Sequence, residues 1–280
     1  MFNLYLVGMS ISVLDVKAAL LKYKKMCKGA DFFGFGPDVF LNDLSVNVIV
    51  DVGIDNDKRI FICDLKTNGY PPKNFIGTYH ILGGSWINPS HKTPFDVMKA
   101  ELSEEIGNSN FVKTLVDNMY PFADYIISIP KTVHGNLRHQ ADFHITISSI
   151  FVSSITKSKL GNALDISLTG SRESIIKNLL SALKPVFIES KPGVFSFEDI
   201  IKGGGMRFCW GNNIILSDYL LEKYSVKVQV PGFDGIVADR LSSSPLIPYS
   251  ERLETKHNRL NPIKRGLIED SFSYESEKND

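Results

Sequence analysis

Glu101-Leu102-Ser103-Glu104-Glu105-Ile106-Gly107 decides the reading of this chain. In an α-helix, residues three and four apart are surface neighbours, so this spacing gathers Glu101, Glu104 and Glu105 on one patch. Three carboxylates that close repel one another unless a cation lies among them. An all-oxygen donor set suits hard divalent ions, Mg²⁺ first, with Mn²⁺ as the alternative. The residues just before supply a helix start. Thr93 can cap, Pro94 fits the first helical position, and Asp96 favours the positive N-terminal end. Phe95, Met98 and Leu102 fall at i, i+3 and i+7, which gives the helix an apolar back to bury. Gly107 supplies the stop, where a positive φ is wanted.

Upstream, Phe75-Ile76-Gly77-Thr78-Tyr79-His80-Ile81-Leu82-Gly83-Gly84 reads as a strand that ends on a paired-glycine turn. Gly83-Gly84 and the glutamate run together resemble the signature box of the Nudix hydrolases. That pattern is a glycine, five residues, Glu, seven residues, then Arg-Glu-apolar-x-Glu-Glu-x-Gly-apolar. The helical half fits closely. The other half departs in three ways: Ala100 stands at the arginine, Lys92 at the early glutamate, and the loop before the helix carries two residues more than the commonest spacing. In the family the arginine helps orient a neighbouring carboxylate, so its loss bears on catalysis more than on metal binding.

The resemblance, which extends loosely from about Ser45 to about Tyr224, implies an α/β fold: an α/β/α sandwich with a mixed β-sheet. It also implies a Mg²⁺-dependent hydrolase of a nucleoside diphosphate linked to another moiety, acting by water attack at phosphorus. Glu101, Glu104 and Glu105 then hold the metal, and one of them, or a carboxylate on a later loop, is the base. Glu104, Glu105 and Glu189 are the catalytic candidates; Glu189 follows a predicted strand where family members often carry an extra carboxylate. Gly83, Gly84 and Arg138 are the substrate-binding candidates, Arg138 because a guanidinium can pair with phosphate in bidentate fashion. His134 and His139 flank it, and a solvated hairpin loop is the plainer reading of all three. Lys92 can offer a point charge to phosphate or be an exposed loop lysine. Trp210, Tyr70 and Tyr79 can stack on a base or simply pack. Gly203-Gly204-Gly205 lacks the following Lys and Ser/Thr of a phosphate loop, so a mobile loop is its default reading.

The remaining sequence frames this box. Ser12 to Cys27 is an amphipathic pattern ending at Gly29, read with residues 1–40 as an N-terminal strand and helix addition. Val46, Val48 and Val50, an Asp55-Asn56-Asp57 turn, then Phe61, Cys63 and Leu65 give a hairpin. Strands are expected at Tyr125-Ile127, Phe143-Ile147 and Val186-Ile188. Helices are expected at Ser171–Leu183, Phe197–Ile201 and Asn213–Tyr224. Residues 41–240 form the Nudix-like domain, and 241–280 a flexible or surface-draped tail, since the polar run beyond Ser242 cannot bury much surface.

Composition narrows the function classes. Hydrophobic residues at 43% and charged residues at 22% are ordinary for a soluble protein. The formal net charge is zero, so nothing favours duplex nucleic acid, which attracts proteins rich in Lys and Arg. Cys27, Cys63 and Cys209 are widely spaced, with neither a ligand pair nor a disulfide framework. No segment has the length of a membrane span, and no N-terminal signal is evident. The expected compartment is the cytoplasm, and the expected partners are a small nucleotide-diphosphate substrate and, as a candidate assembly, a homodimer. Two other readings compete. One is a catalytically weak or inactive Nudix-like nucleotide-binding or sensor module, which Ala100 and Lys92 motivate. The other is a prenyl-diphosphate isomerase, which wants a cysteine beside the metal that this box lacks.

Overall fold

A computed structural model describes residues 41–55, 58–70, 73–85, 94–134, 143–186, 190–202 and 205–240. The N-terminal addition and the tail read from the sequence lie outside these residues. Among the described residues seven strands form one sheet: β1 (Leu41–Asp55), β2 (Lys58–Lys66), β3 (Tyr79–Ser85), β4 (Met119–Pro130), β5 (Phe143–Thr156), β6 (Ser190–Ser196) and β7 (Val237–Arg240). Their spatial order is β6-β2-β3-β1-β5-β4-β7. β1 and β5 run parallel while the other ladders are antiparallel, so the sheet is mixed, as expected.

The first hairpin follows directly from the sequence. Asp55 pairs with Lys58 at the end of the β1–β2 ladder. Along β1 the side chains alternate between faces: Val46, Val48, Val50 and Val52 enter one core, while Ile49 enters the other. Helices cover both faces. On the first lie α1 (Pro94–Ile106), α2 (Ser109–Asp117), α4 (Lys157–Leu164) and α5 (Arg172–Ala182), through residues such as Met98, Leu102, Leu115, Leu160 and Leu179. On the second lie α6 (Phe197–Lys202) and α7 (Asn212–Tyr224), through Ile200, Ile215, Leu216 and Leu220. A single turn of helix, α3 (Lys131–His134), follows β4. The protein is thus an α/β/α sandwich with two cores, one on each side of the sheet.

Three elements differ from the sequence reading. Gly83 and Gly84 do not turn the chain; they lie within β3, paired with Asn47 and Val46 of β1. Of the strand expected at Val186-Ile188, Val186 lies outside any strand and the other two residues lie outside the described ones; the next strand is β6, beginning at Ser190. The helix α2, which the sequence reading passed over, follows Gly107 almost at once. Its signals are local: Asn108 accepts the Phe111 N–H at 2.9 Å as an N-cap, and Phe111, Val112 and Leu115 form its buried stripe.

The second core contains a buried charge. Asp51, fully buried on β1, accepts from Arg59 Nε at 2.5 Å, from the Tyr219 hydroxyl at 2.5 Å, and from the Tyr224 hydroxyl. Burial, and then the neighbouring Asp51 carboxylate, raises both phenols above the ordinary tyrosine range. The sign of the pH effect follows. Above about pH 10 the unfolded chain releases these protons while the folded chain keeps them, so stability falls as pH rises. Denaturant titrations between neutral and strongly alkaline pH should show that loss. Tyr219→Phe and Tyr224→Phe should each flatten it; an equal slope in both variants would contradict the assignment.

Candidate active site

Helix α1 forms for the reasons its sequence gives. It begins at Pro94 and ends at Ile106, and Gly107 takes φ +68°. A side chain there would strike the Lys184 carbonyl, because Cβ would lie 1.8 Å from that oxygen. Val97, Met98, Leu102 and Ile106 are buried beneath the helix, and Phe95 meets the Phe151 ring at 5.4 Å. With its apolar back fixed in this way, the helix turns Glu101, Glu104 and Glu105 toward Gly83 and Gly84, near the C-terminal end of β3.

The glycine pair makes room for them by lacking side chains. A Cβ on Gly84 would lie 2.2 Å from Glu101 Oε2, so the Glu101 carboxylate rests directly against the strand. Gly83, at φ +135°, would place a Cβ 2.3 Å from the Val46 carbonyl oxygen. Its own N–H donates to Glu105 Oε2 at 2.9 Å. The two glycines therefore have different tasks: Gly84 accommodates an acid, and Gly83 anchors one.

All three glutamates line one cavity of about 240 Å³, shared with Gly83, Gly84, Lys66, His80, Tyr70, Trp210, Asn47 and Asn212. Glu104 is exposed, Glu101 is half-buried, and Glu105 keeps only 9% of its side chain exposed. Burial raises the Glu105 carboxyl well above the usual range; Asp64 and Glu101 add to this, while Lys66 and the Gly83 N–H oppose it. Lys66 Nζ lies 2.5 Å from Asp64 Oδ2 and 3.9 Å from Glu105 Oε1. Those two carboxylates outweigh the cost of burial and keep the ammonium charged. Burial and Lys66 together lower the His80 imidazole well below its ordinary value.

A second segment closes the cavity from the far face of the sheet. Around Phe208 the chain runs against β3, with the Tyr79 N–H donating to the Arg207 carbonyl at 2.8 Å and the Cys209 N–H to the Tyr79 carbonyl at 2.9 Å. This brings Asn212 Oδ1 to the Ile81 N–H at 2.8 Å and Trp210 Nε1 to the Tyr70 hydroxyl at 2.8 Å. Tyr79 instead packs edge-on against Phe195 at 4.5 Å.

The structure thus brings Glu101, Glu104, Glu105, Gly83 and Gly84 together, with Tyr70 and Trp210 on the same cavity. His134 is buried against Phe75 and Trp210 at 6.1 and 5.4 Å, a packed residue beside the cavity wall. Glu189, Arg138, His139, Lys92 and Gly203-Gly204 lie outside the described residues. Cys63 and Cys209 are buried thiols; burial pushes Cys209 up to about 12, which makes both poor nucleophiles. The sequence reading missed Asp64, Lys66, His80, Asn47 and Asn212. A pattern for the first two was present: Ile60, Ile62, Asp64 and Lys66 alternate onto one face of β2, so charge appears where apolar residues precede it.

Among the described residues, no three Asp, Glu, His or Cys side chains close around a metal on their own. The donor set still suits Mg²⁺, which favours one or two carboxylates completed by substrate phosphates and water over an all-protein cage. Glu101 and Glu104 present oxygens of that kind to the cavity.

Fold and site together define an α/β/α protein with a carboxylate-walled cavity at one end of a mixed sheet. No protein-family model matches the chain, and no curated protein does. Among solved structures it is similar to a MutT/nudix family protein from Enterococcus faecalis, at 13% identity and TM-score 0.33, over 66% of this chain and 56% of that one. It is similar to the NUDIX domain of Shewanella oneidensis NrtR complexed with ADP ribose, at 10% identity and TM-score 0.37, over 72% and 97%. A third is the bifunctional NMN adenylyltransferase/ADP ribose pyrophosphatase from Francisella tularensis complexed with AMP and Mn ion. There the identity is 16% and the TM-score 0.41, over 75% of this chain and 48% of that one. No helix among the described residues is long and apolar enough to cross a membrane.

Proposed function

We propose that this protein is a Nudix-type hydrolase that cleaves a nucleoside diphosphate linked to another moiety, with a divalent cation, Mg²⁺ or Mn²⁺, as cofactor. One observation carries the reading: the three glutamates of the box-like helix share a cavity wall with the glycine pair that the same box pattern contains. Glu101, Glu104 and Glu105 would hold the cation, which when bound withdraws charge from phosphoryl oxygens and favours deprotonation of water. The chain's own residues do the rest. Gly84 and Gly83 keep the Glu101 and Glu105 carboxylates against the strand and so leave the cavity above them open to a diphosphate. Trp210 and Tyr70 supply ring surface for a base or sugar, and Glu104, exposed on the cavity, takes the proton from the attacking water. Glu189 is a further candidate base and Arg138 a phosphate contact.

Purified protein should release nucleoside monophosphate from members of a panel of ADP-ribose, nucleotide sugars and dinucleotides in Mg²⁺ or Mn²⁺, and none with a chelator. The engagement of Glu105 by Gly83 and Lys66 also suits a binding module. Tight nucleotide binding with no metal-dependent product across the panel would establish that module and end the hydrolase reading.

The glycines give a sharper check. Gly84→Ala displaces only the flexible end of Glu101, so turnover should fall about tenfold or more with little change in melting temperature, since small misplacements cost rate steeply. Gly83→Ala meets backbone at a positive φ and should instead destabilise the fold by about 1–3 kcal/mol. Equal effects of both variants on the melting temperature would contradict this division.

A further inference from the structure

Lys66 is a long, charged side chain in a place where such residues are rarely found. It is 7% exposed, on a strand paired on both sides: Asp64 of β2 faces His80 of β3, and Lys66 faces Ser190 of β6. The backbone at Lys66 is pinned as well, its N–H donating to the Thr78 carbonyl at 2.9 Å and its carbonyl accepting from the Gly77 N–H at 2.8 Å. The Tyr70 ring lies 4.7 Å from the ammonium. A buried ammonium is costly unless it is paired, and Asp64 at 2.5 Å meets that need. The same ammonium also faces Glu105 Oε1 at 3.9 Å, while the other Glu105 oxygen is held by the Gly83 N–H. The carboxylate is thereby held at two points, one on each oxygen.

We propose that Lys66, delivered by β2 and braced by Asp64, is a positioning residue that fixes the Glu105 carboxylate in the orientation turnover requires. This rests on the hydrolase reading above. Lys66 acts through Glu105 and needs no contact with the substrate. Its charge also competes with a bound cation, so its removal should not weaken cation binding. The signature is a loss of rate with substrate and cation affinity kept.

Two variants test this in the full chain: Lys66→Met and Asp64→Asn/Lys66→Met. They are read by kcat and KM at saturating Mg²⁺ on the best substrate of the panel, and by Mn²⁺ binding from its paramagnetic resonance signal. If Lys66 positions Glu105, Lys66→Met lowers kcat by about 10- to 100-fold with KM and Mn²⁺ affinity little changed, and the double variant stays as slow. If Lys66 serves only as a counter-ion to Asp64, the double variant removes both charges and regains wild-type kcat, which overturns the proposal. A kcat for Lys66→Met within about threefold of wild type does the same. The double variant also covers the case in which Lys66→Met, with Asp64 left buried and unpaired, does not fold. A wild-type protein inactive on every substrate would instead remove the hydrolase reading, and this role with it, so the two failures look different.

Discussion

Glu104→Gln is expected to lower metal-dependent turnover by about 10²- to 10⁴-fold, the range typical of removing a positioned acid–base group, with the fold intact. The side chain is exposed and its replacement has the same shape, so nothing in the core beneath α1 has to move. The substitution also removes one of three like charges spaced i, i+3 and i+4 on one helix. In metal-free protein it should therefore leave the melting temperature unchanged or raise it slightly. Steady-state rates across a Mg²⁺ titration, beside thermal melts followed by circular dichroism, give both readouts. Asp96→Asn, on an exposed acid in the first turn of the same helix, is the control and should leave turnover unchanged. Wild-type rates in Glu104→Gln would move the chemistry away from this helix.

Asp51→Ala should have the largest effect on stability of any single change considered, a loss of about 3 kcal/mol or more. Asp51 is fully buried, and both its oxygens are used, by Arg59 on one side and by the Tyr219 and Tyr224 hydroxyls on the other. Its removal takes away the shared acceptor of a guanidinium and two phenols. Arg59 retains 21% exposure and can recover some hydration, which holds the loss to the lower end of the range for broken buried pairs. Against a total of about 5–15 kcal/mol for an ordinary domain, that is a large fraction. Urea denaturation measures it, and a constant m-value would show that the change lies in stability and not in the compactness of either state. Tyr224→Phe deletes one hydrogen bond and should cost only about 1 kcal/mol. A comparable cost for the two variants would mean that the carboxylate is not the centre of this network.

The parts of the molecule that were legible in the sequence share a feature: their signals lie within a few residues of one another. Pro94, the apolar stripe of α1 and Gly107 fixed a helix whose observed ends match them. The hairpin expected from the Asp55-Asn56-Asp57 signal is present as the β1–β2 ladder, and Ser171 caps α5 by accepting the Ser174 N–H. The four residues of β7 carry no periodicity of their own and are a strand because β4 offers an edge to pair with. The glycine pair read as a turn, since glycine so often makes one. Only the ladder to Asn47 and Val46 shows that Gly84 serves by its missing side chain, while Gly83 serves by a positive φ within the strand as well.

By itself the sequence determined that Glu101, Glu104 and Glu105 share one face of a helix with an apolar back, because helical geometry depends on neighbours along the chain. Which groups face those acids was decided only by the tertiary structure: Gly84 beneath Glu101, the Gly83 N–H and Lys66 on Glu105, Trp210 and Tyr70 across the cavity. These come from β2, β3 and the segment before α7, and strand order and register follow from burying two apolar faces at once, a condition no local stretch can express.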